Sequence, residues 1–263
     1  MYDKRLIYKD LKTNFMGQKI VILDNTDSTN LRIRAAAENR EENGTLIIAE
    51  NQSKGRGQIG TNWFSAPGES ISMSLLVYPS NIKDYNLSVI PLAVGLAVSE
   101  SLRYIVKKEF ELKWPNDILL KSKKICGILC EKFTSQGKIC MAIGIGINVN
   151  NKIIPQKLEN RATSLLIAEK REFKRETIIS QILNIFETLY YRLQSNNTPE
   201  EIINEYKSKC VSIGKNIKFI KNRQTFLGKI VDISLQGELI VKNEYGNYIN
   251  LNSSKSIIGF LQN

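Results

Sequence analysis

The sequence predicts an α+β fold, in which a mixed sheet with packed helices is followed by a small all-β section. Three observations lead to this prediction. Strand-like and helix-like segments alternate over roughly the first 210 residues, short strands between glycine turns follow from about Ile213, and 263 residues suffice for one large domain plus a small one. We therefore expect two domains, residues 1–211 and residues 212–263.

The first half of the chain alternates strands and helices around a polar loop. Asp27-Ser28-Thr29-Asn30 offers capping side chains between a strand and a helix. Residues 51–62 are polar, contain glycine and lack periodicity, which makes this loop a candidate for ligand binding. The predicted elements are strands over 18–23, 45–49 and 71–78, and helices over 31–40 and 87–106.

The second half of the sequence predicts the remaining strands of the mixed sheet, followed by the small all-β section. Residues 125–133 and 138–149 form an apparent hairpin across the turn at 135–137. Four short strands separated by glycines at the C-terminal end predict a small barrel. The other predicted elements are strands over 110–113, 118–120, 217–220, 229–233, 239–241 and 248–251, and helices over 173–193 and 199–208.

The chain has no histidine, and this absence limits its chemistry. Ser-His and Cys-His nucleophiles and imidazole acid–base catalysis are excluded, which leaves electrostatic stabilisation, positioning and metal ions. The four cysteines include no C-x-x-C pair, so we expect reduced, mostly buried thiols and not a zinc site. We expect a cytoplasmic protein with no membrane partner, because no apolar run approaches the ~20 residues of a membrane span and residues 1–6 lack a signal-peptide core.

The formal charge of +11 invites a nucleic-acid interpretation. However, the lysines are spread along the chain, no run of five basic residues occurs, and no helix-turn-helix pattern precedes the first strand. We therefore expect no DNA binding. A basic surface would instead attract anionic ligands such as ATP and an acidic protein partner, raising the encounter rate more than the affinity.

The first motif is the loop Gly55-Arg56-Gly57-Gln58-Ile59-Gly60. Its glycines let the backbone bend sharply and approach a ligand, and its guanidinium suits an anion. The same spacing occurs in dinucleotide-binding fingerprints, but here no helix follows directly, since Trp63 and Pro67-Gly68 intervene. An anion cradle and an ordinary surface loop remain as the two interpretations.

The second motif is Lys113-Trp114-Pro115-Asn116-Asp117. A lysine that ends a strand before a proline-stiffened turn is held in place, and a fixed ammonium stabilises charge developing on a carbonyl or phosphate. Asn116 and Asp117 are candidates for contacting a ligand or hydrated Mg²⁺. The alternative is a tight turn with a solvated lysine.

The third motif is Gly144-Ile145-Gly146-Ile147-Asn148-Val149, an apolar strand with two glycines. Glycine weakens a strand unless a ligand or another backbone approaches it closely. With Gly127, these glycines are expected to leave a groove with apolar walls and few side chains. A pair of β-bulges is the alternative.

Taken in order, the motifs resemble the biotin protein ligases. The resemblance rests on Asp27 to Asn30, Gln52 to Gly57, Lys113 to Asp117, Gly127 to Leu129 and Gly144 to Asn148, and it spans about residues 20 to 260. It implies a catalytic domain related to the class II aminoacyl-tRNA synthetases, followed by an SH3-like domain.

The resemblance also implies a mechanism. The biotin carboxylate attacks the α-phosphate of ATP to give biotinyl-5′-AMP and pyrophosphate, and a carrier lysine then takes the biotinyl group. ATP and Mg²⁺ are the implied cofactors, and the biotin carboxyl carrier protein of acetyl-CoA carboxylase is the implied acceptor. None of these steps needs histidine.

The site residues carry over position by position. Ser28, Thr29 and Gln52 should hydrogen-bond the ureido end of biotin, which would otherwise be buried unpaired. Arg56 and Gly57 should meet the carboxylate and the phosphate, and Lys113 should neutralise the acyl phosphate. Lys113 and Arg56 are the catalytic candidates, and no protein metal ligand is assigned. The biotin-binding candidates are Ser28, Thr29, Asn30, Gln52, Gly55, Arg56, Gly57, Gln58, Lys113 and Gly127, and the nucleotide-binding candidates are Arg56, Asn116, Asp117 and Asn148.

Two departures from the family pattern matter. Where the family commonly has arginines, this loop has Gln58 and Thr61, so we expect a weaker grip on biotinyl-AMP and some leakage to unintended lysines. Some family members carry an N-terminal winged helix that represses biotin genes. Residues 1–17, which precede the first predicted strand, are too few for it, so we expect the monofunctional form.

Other interpretations remain. A lipoate or octanoate ligase is similar in fold and adenylate chemistry, although the Gly-Arg-Gly loop and Lys-Trp-Pro-Asn-Asp argue against it. A non-catalytic biotin-binding regulator is the alternative from another class. The small barrel either covers apolar surface or helps to bind ATP or the carrier, and an exposed sheet edge could pair with a second copy, giving a homodimer, or with the carrier.

Overall fold

The computed structural model describes residues 1–58, 62–79, 82, 84–195 and 199–261. A seven-stranded mixed sheet forms its centre, and six helices accompany it within the described part of the chain. The helices are α1 (Lys4–Asp10), α2 (Thr29–Glu38), α3 (Ile90–Val106), α4 (Leu165–Glu169), α5 (Arg175–Ser195) and α6 (Glu200–Lys209). The strands of this sheet are β1 (Ile20–Thr26), β2 (Leu46–Gln52), β3 (Ser70–Val77), β4 (Glu111–Lys113), β5 (Asp117–Leu120), β6 (Lys123–Ser135) and β7 (Lys138–Asn148).

The sheet has the order β1-β2-β3-β7-β6-β5-β4. The first pair, β1 and β2, is parallel because α2 crosses between them, and the remaining neighbours are antiparallel. The inner strand β3 is buried at every position, as expected for a strand covered on both faces.

Helices cover both faces of the sheet. The apolar helices α3 and α5 pack against each other and contribute to the main core, as shown by buried residues such as Leu96, Phe186 and Tyr190. On the other face, Ile33 and Ala37 of α2 pack in a smaller cluster with Ala142 of β7. Because side chains alternate across a strand, Gly144 and Gly146 of β7 lie on the same face as α2. This face carries the candidate site.

One helical segment of the described residues, Asn86–Val106, is long and apolar enough by composition to cross a membrane. In the folded chain, 72% of its most apolar window is buried inside the protein. Its apolar surface is therefore used by the core.

A second, five-stranded antiparallel sheet follows the helices. Its strands are β8 (Asn216–Lys221), β9 (Gln224–Ile233), β10 (Leu239–Asn243), β11 (Tyr248–Leu251) and β12 (Ile257–Phe260). The order of the strands in this sheet is β11-β10-β9-β8-β12. The sheet is joined to the first part by the Trp114 indole N–H, which donates to the Gly237 carbonyl at 2.9 Å, and by the Lys207–Asp232 ion pair at 2.7 Å. The two β-layers are thus connected at the turn that follows β4.

The predicted fold class is confirmed, with three omissions. The elements α1, α4 and β12 were not predicted from the sequence, and the helix expected over 87–106 begins as a 3₁₀ turn, Asp84–Val89, and continues as α3. All four cysteines are free thiols, as predicted. Burial raises the pKa of the Cys130 thiol to about 12, so this group stays protonated at neutral pH.

Candidate active site

A cavity of about 390 Å³ opens on the α2 side of the large sheet. Its size lies in the range of small-molecule sites. Segments from α2, β2, the 55–63 loop, β6, β7 and the small sheet converge on it. Of the residues predicted from the sequence, it is lined by Ser28, Thr29, Asn30, Gln52, Arg56, Gly57, Gln58, Lys113, Asn116, Asp117 and Gly127.

One end of the cavity is a polar corner at the beginning of α2. The Thr29 backbone N–H and hydroxyl both donate to Gln52 Oε1, at 2.8 Å and 3.1 Å. This side chain from the end of β2 therefore satisfies an N-terminal helix donor. Ser28 is the N-cap residue, and its side chain makes no capping hydrogen bond. The corner presents hydroxyl and amide groups that are already oriented by the backbone.

The polar corner continues into the sheet through Ser74 and Asn30. Ser74 Oγ lies 2.7 Å from Thr29 Oγ1 and 2.6 Å from Asn30 Oδ1. The Asn30 amide donates to the Leu129 carbonyl at 3.1 Å and to Glu131 Oε2 at 2.9 Å. Buried polar groups connected in this way hold one another in a fixed arrangement.

Glu131 of β6 connects the polar corner to the glycine-rich loop. Its Oε1 lies 3.3 Å from a terminal nitrogen of Arg56 and 3.4 Å from one of Arg34. Arg56 is half exposed at the cavity edge, so a single carboxylate orients a guanidinium that also faces the cavity.

Side chains pack over the glycines of β6 and β7. The sequence predicted a groove with few side chains at this place, and the structure corrects that prediction. A Cβ added to Gly144 would lie 2.4 Å from Asn30 Oδ1, and one added to Gly146 would lie 2.4 Å from Trp63 Cε2. The corresponding position at Gly127 would lie 3.0 Å from the same indole. The glycines therefore make room for Asn30 and for Trp63, whose indole covers the sheet and lines the cavity.

The Trp63 indole N–H is buried and has no hydrogen-bond partner within the described residues. A buried donor left unpaired is costly, so an acceptor on a bound ligand would stabilise it. The backbone N–H of Trp63 donates to the Gly55 carbonyl at 2.9 Å and closes the loop over the sheet. The tip of this loop, including the predicted positions Ile59, Gly60 and Thr61, lies outside the described residues.

Lys113 ends β4 and lines the cavity. The next residue fixes the turn, because the Trp114 backbone N–H donates to Ser212 Oγ at 3.1 Å and its indole is bonded to Gly237. In the described ranges the Lys113 ammonium makes no ion pair, and it lies 4.9 Å from the centroid of the Phe260 ring. A cation is thus presented to the cavity from a well-anchored turn.

The other residues of this motif already have partners. Asp117 Oδ1 lies 2.5 Å from the Lys124 ammonium, which also lines the cavity. The Asn116 amide donates to the Ile128 carbonyl at 2.7 Å, and the Ile128 N–H donates to the Asn116 carbonyl. Asn116 therefore ties the turn to β6, and Asp117 holds a second lysine at the site.

Two predicted site residues do not line the cavity. Gly55 packs against the Trp63 carbonyl, 2.5 Å from where its Cβ would lie, so it serves the loop closure. Asn148 is buried, and its amide donates to the Thr163 carbonyl at 3.1 Å. Both remain predictions as binding residues, and the geometry gives each a structural role.

A second cavity of about 910 Å³ adjoins the first. The two share Arg56, Gly57, Gln58 and Trp114, and the second extends to residues 252–255 of the small sheet. Space for a larger ligand or an incoming chain is therefore continuous with the first cavity beside Arg56.

Several residues that line or organise the cavity were not predicted from the sequence. A tryptophan directly after a glycine-rich loop is a signal that could have indicated Trp63, and a lysine close to Gly127 could have indicated Lys124. Glu131 and the C-terminal strand carry no comparable local signal. The missed residues are Trp63, Ser74, Lys124, Glu131, Ser254 and Phe260.

The fold and the site together define an α+β enzyme domain whose cavity combines a polar corner with several cations. Residues 23–150 match the biotin/lipoate A/B protein ligase family. The bifunctional ligase/repressor BirA of Bacillus spizizenii is 33% identical, over 90% of this chain and 73% of its own length. The biotin–[acetyl-CoA-carboxylase] ligase of Mycobacterium tuberculosis is 30% identical, over 84% of this chain and 82% of its own length.

Solved structures give the same result. The biotin protein ligase from Aquifex aeolicus, in complex with biotin and ATP, superposes with a TM-score of 0.78 at 31% identity, covering 90% of this chain and 97% of that one. The chain therefore belongs to the biotin/lipoate A/B protein ligase family and, within it, to the biotin protein ligases.

Proposed function

We propose that this chain forms biotinyl-5′-AMP from biotin and ATP and transfers the biotinyl group to one lysine of a biotin carboxyl carrier protein. The observation that carries the proposal is one cavity lined both by the Thr29–Gln52 corner and by the cations of Arg56, Lys113 and Lys124. A ligand with a neutral polar head and an anionic tail fits this polarity.

The polar corner is assigned to the ureido head of biotin. That head has both N–H donors and a carbonyl acceptor, and it would be costly to bury without partners. Ser28, Thr29 and Asn30 are buried, while Gln52 supplies an amide beside them. The Trp63 indole covers the sheet next to this corner and supplies an apolar wall for the ring system.

The cations are assigned to the acyl phosphate. In the first step, a biotin carboxylate oxygen attacks the α-phosphorus, the bond to the pyrophosphate oxygen breaks, and pyrophosphate leaves. Negative charge grows on the phosphoryl oxygens, and fixed cations stabilise it without reorganising. Lys113 and Arg56 are the two groups proposed to do this, and Lys124, which is paired with Asp117, also lines the cavity.

In the second step, the carrier lysine amine attacks the acyl carbon, the bond from that carbon to the phosphate oxygen breaks, and AMP leaves. The proton lost by the amine passes to water. The cavity next to the first, bordered by Arg56, Gln58 and Ser254, is the proposed entry for this lysine and for the nucleotide. The proposed acceptor is the biotin carboxyl carrier protein of acetyl-CoA carboxylase, since the Mycobacterium tuberculosis relative is named for that enzyme.

Mg²⁺ is proposed as the counter-ion of the substrate ATP and not as a resident metal. Within the described residues, no group of three potential metal ligands is found. Asp117 is paired with Lys124 and Glu131 with two arginines, so these carboxylates do not form a metal cage. Mg²⁺ commonly keeps several waters and binds through substrate phosphates.

The organisation of the chain is proposed accordingly. Residues 1–211 carry the chemistry and residues 212–263 form the small domain, joined through Trp114 and Gly237. Neither DNA nor a membrane is a proposed partner, and a cytoplasmic location and a homodimer paired through a sheet edge remain predictions.

The test is pyrophosphate release by the purified protein with Mg-ATP and either biotin or lipoate. We expect release that requires biotin and falls at least about a hundredfold in Lys113→Ala, since it removes a fixed charge at the reacting phosphate. The matched control is Lys108→Ala, an exposed lysine outside the cavity. Release with lipoate would move the assignment to a lipoate ligase, and tight biotin binding without release would indicate a sensor.

A further inference from the structure

The last strand of the small sheet forms one side of the cavity. Ile257, Ile258, Gly259 and Phe260 of β12 line it although they lie in the second sheet, and so does Ser254 of the 3₁₀ turn before β12. Ile258 is 52% exposed and Phe260 is 41% exposed. Large apolar side chains left open at the edge of a ligand cavity are typical of a surface that a ligand covers.

Phe260 faces the proposed catalytic lysine. The Lys113 ammonium lies 4.9 Å from the centroid of the phenyl ring, within the ~6 Å range in which the electron-rich face of an aromatic ring attracts a cation. Lys113 forms no ion pair in the described part of the chain, so the ring is the group that restricts this flexible ammonium. A carboxylate in the same place would neutralise the charge, whereas a ring orients the ammonium and leaves its charge available.

Ser254 holds the glycine-rich loop. Its hydroxyl donates to Gln58 Oε1 at 2.9 Å, which joins the small sheet to the loop that carries Arg56. Gln58 is one of the two positions where this chain lacks an arginine. Gln58, which replaces a charged arginine of the family pattern, therefore links the loop to the small sheet through a hydrogen bond.

We propose that β12 and the turn before it form a wall of the active site that contributes to its function. In this wall, Phe260 is a positioning residue for Lys113, and the Ser254–Gln58 hydrogen bond anchors the glycine-rich loop. Together they retain biotinyl-AMP until the carrier lysine arrives. This inference rests on the proposed function and deepens it.

The proposed wall offsets the reduced positive charge of the glycine-rich loop in the retention of biotinyl-AMP. An anionic adenylate escapes more easily when fewer cations hold it. The Ser254–Gln58 bond and an apolar wall compensate, because the bond holds Gln58 and the wall covers the ligand and keeps water from the reactive acyl–phosphate bond. The leakage expected from the sequence alone is therefore smaller than the loop composition suggests.

The test of Phe260 compares a substitution that removes the aromatic ring with one that keeps an aromatic ring. Phe260→Leu keeps an apolar side chain and removes the aromatic ring, whereas Phe260→Trp keeps a ring for the ammonium. Tyr245→Ala is the matched control, because Tyr245 is 73% exposed and lies in the turn before β11, at the opposite edge of the sheet.

Two quantities are measured after the full-length proteins are loaded with labelled biotin and Mg-ATP. The first is the rate at which bound biotinyl-AMP is released after rapid gel filtration. The second is the division of label between a carrier protein and albumin lysines. Thermal unfolding midpoints establish that each variant is folded.

We expect release from Phe260→Leu to be about threefold to fivefold faster than from the unsubstituted protein, with more label on albumin. Phe260→Trp should stay within about twofold, and Tyr245→Ala should not differ. Equal release from all folded variants, or a tryptophan variant as leaky as the leucine one, overturns the inference. Absence of biotin-dependent pyrophosphate release in the unsubstituted protein overturns the proposed function itself, which distinguishes the two failures.

The loop anchor is tested by a double-mutant cycle with Ser254→Ala and Gln58→Ala. If the bond retains the adenylate, each single substitution speeds its release about threefold, and the double substitution adds little to either. Additive effects, or no effect from Ser254→Ala, contradict the anchor.

Discussion

Arg56 and Glu131 lie 3.3 Å apart at the edge of the cavity, one on the glycine-rich loop and the other on β6. The same carboxylate also meets Arg34 and accepts a hydrogen bond from Asn30. It therefore orients the proposed phosphate-binding guanidinium and the polar corner at once. Neither partner is fully buried, so the pair is a positioning contact more than a source of stability.

Replacement of Glu131 should weaken adenylate formation. In Glu131→Gln the shape is kept but the charge that orients Arg56 is lost, so we expect kcat/KM for biotin-dependent pyrophosphate release to fall about tenfold. Glu172→Gln is the control, since Glu172 is exposed and outside the cavity. A variant faster than the unsubstituted protein would mean that the carboxylate restrains Arg56, the opposite of its proposed role.

A single methyl group at Gly146 should displace Trp63. The added Cβ would lie 2.4 Å from Cε2 of the indole, so the ring has to move. We expect Gly146→Ala to weaken biotin binding at least about tenfold, by loss of the apolar wall, and to change the intrinsic tryptophan fluorescence. Calorimetric titration with biotin measures the first effect. In Gly95→Ala the nearest atom would be 3.5 Å away, an ordinary contact, and binding should be unchanged there.

The Gln52 side chain should contribute both to the stability of α2 and to the binding of biotin. Gln52→Ala removes the acceptor for the Thr29 N–H, which we expect to cost about 1 kcal/mol of stability, like the loss of a helix cap. We also expect weaker binding of biotin, because the ureido head loses an amide partner. Urea unfolding and titration measure the two effects, with the exposed Gln156→Ala as control. Unchanged biotin affinity in Gln52→Ala would remove this residue from the proposed site.

The Glu50–Arg175 pair should make stability depend on acidic pH. Burial pushes the pKa of Glu50 up, but the Arg175 hydrogen bond and charge, with the Tyr2 N–H, outweigh it and hold the pKa below its usual value. Because the folded pKa is depressed, its contribution is present above the unfolded value of about 4.3 and is lost as pH falls through the folded value.

We therefore expect Glu50→Gln to lose about 2 kcal/mol of unfolding free energy at pH 7, and to depend less on pH below about 4 than the unsubstituted protein. Denaturant unfolding at several pH values measures both effects. Glu172→Gln, at an exposed position, should follow the unsubstituted curve. A Glu50→Gln curve parallel to the unsubstituted one would contradict the assignment.

The N-terminus of α2 and the turn after β4 were predictable because their signals are local. Capping side chains before a helical pattern place Ser28 and Thr29, and a proline after a strand-ending lysine places Lys113. Local chemistry fixes local geometry in these segments, and both segments meet at the cavity once the sheet forms.

The misses arose where tertiary contacts decide the structure. A glycine in a strand indicates close approach without identifying what approaches, so Trp63 was not anticipated over Gly146. A charge within a predicted strand normally faces solvent, which hid Glu131. The four-residue strand β12 has no alternation to indicate it, and its pairing with β8 is set by the fold.

The contact between residue 260 and residue 113 has a consequence for biosynthesis. A chain is made from its N-terminus, and early segments can fold while later ones are still inside the ribosome. Arg56 and Lys113 are therefore exposed on the nascent chain well before Phe260 has been translated. An enzyme that made biotinyl-AMP at that stage would release a reactive acylating agent beside the translation machinery. Because Phe260 is translated long after Arg56 and Lys113, the proposed wall is added to the site later than its two catalytic candidates during synthesis.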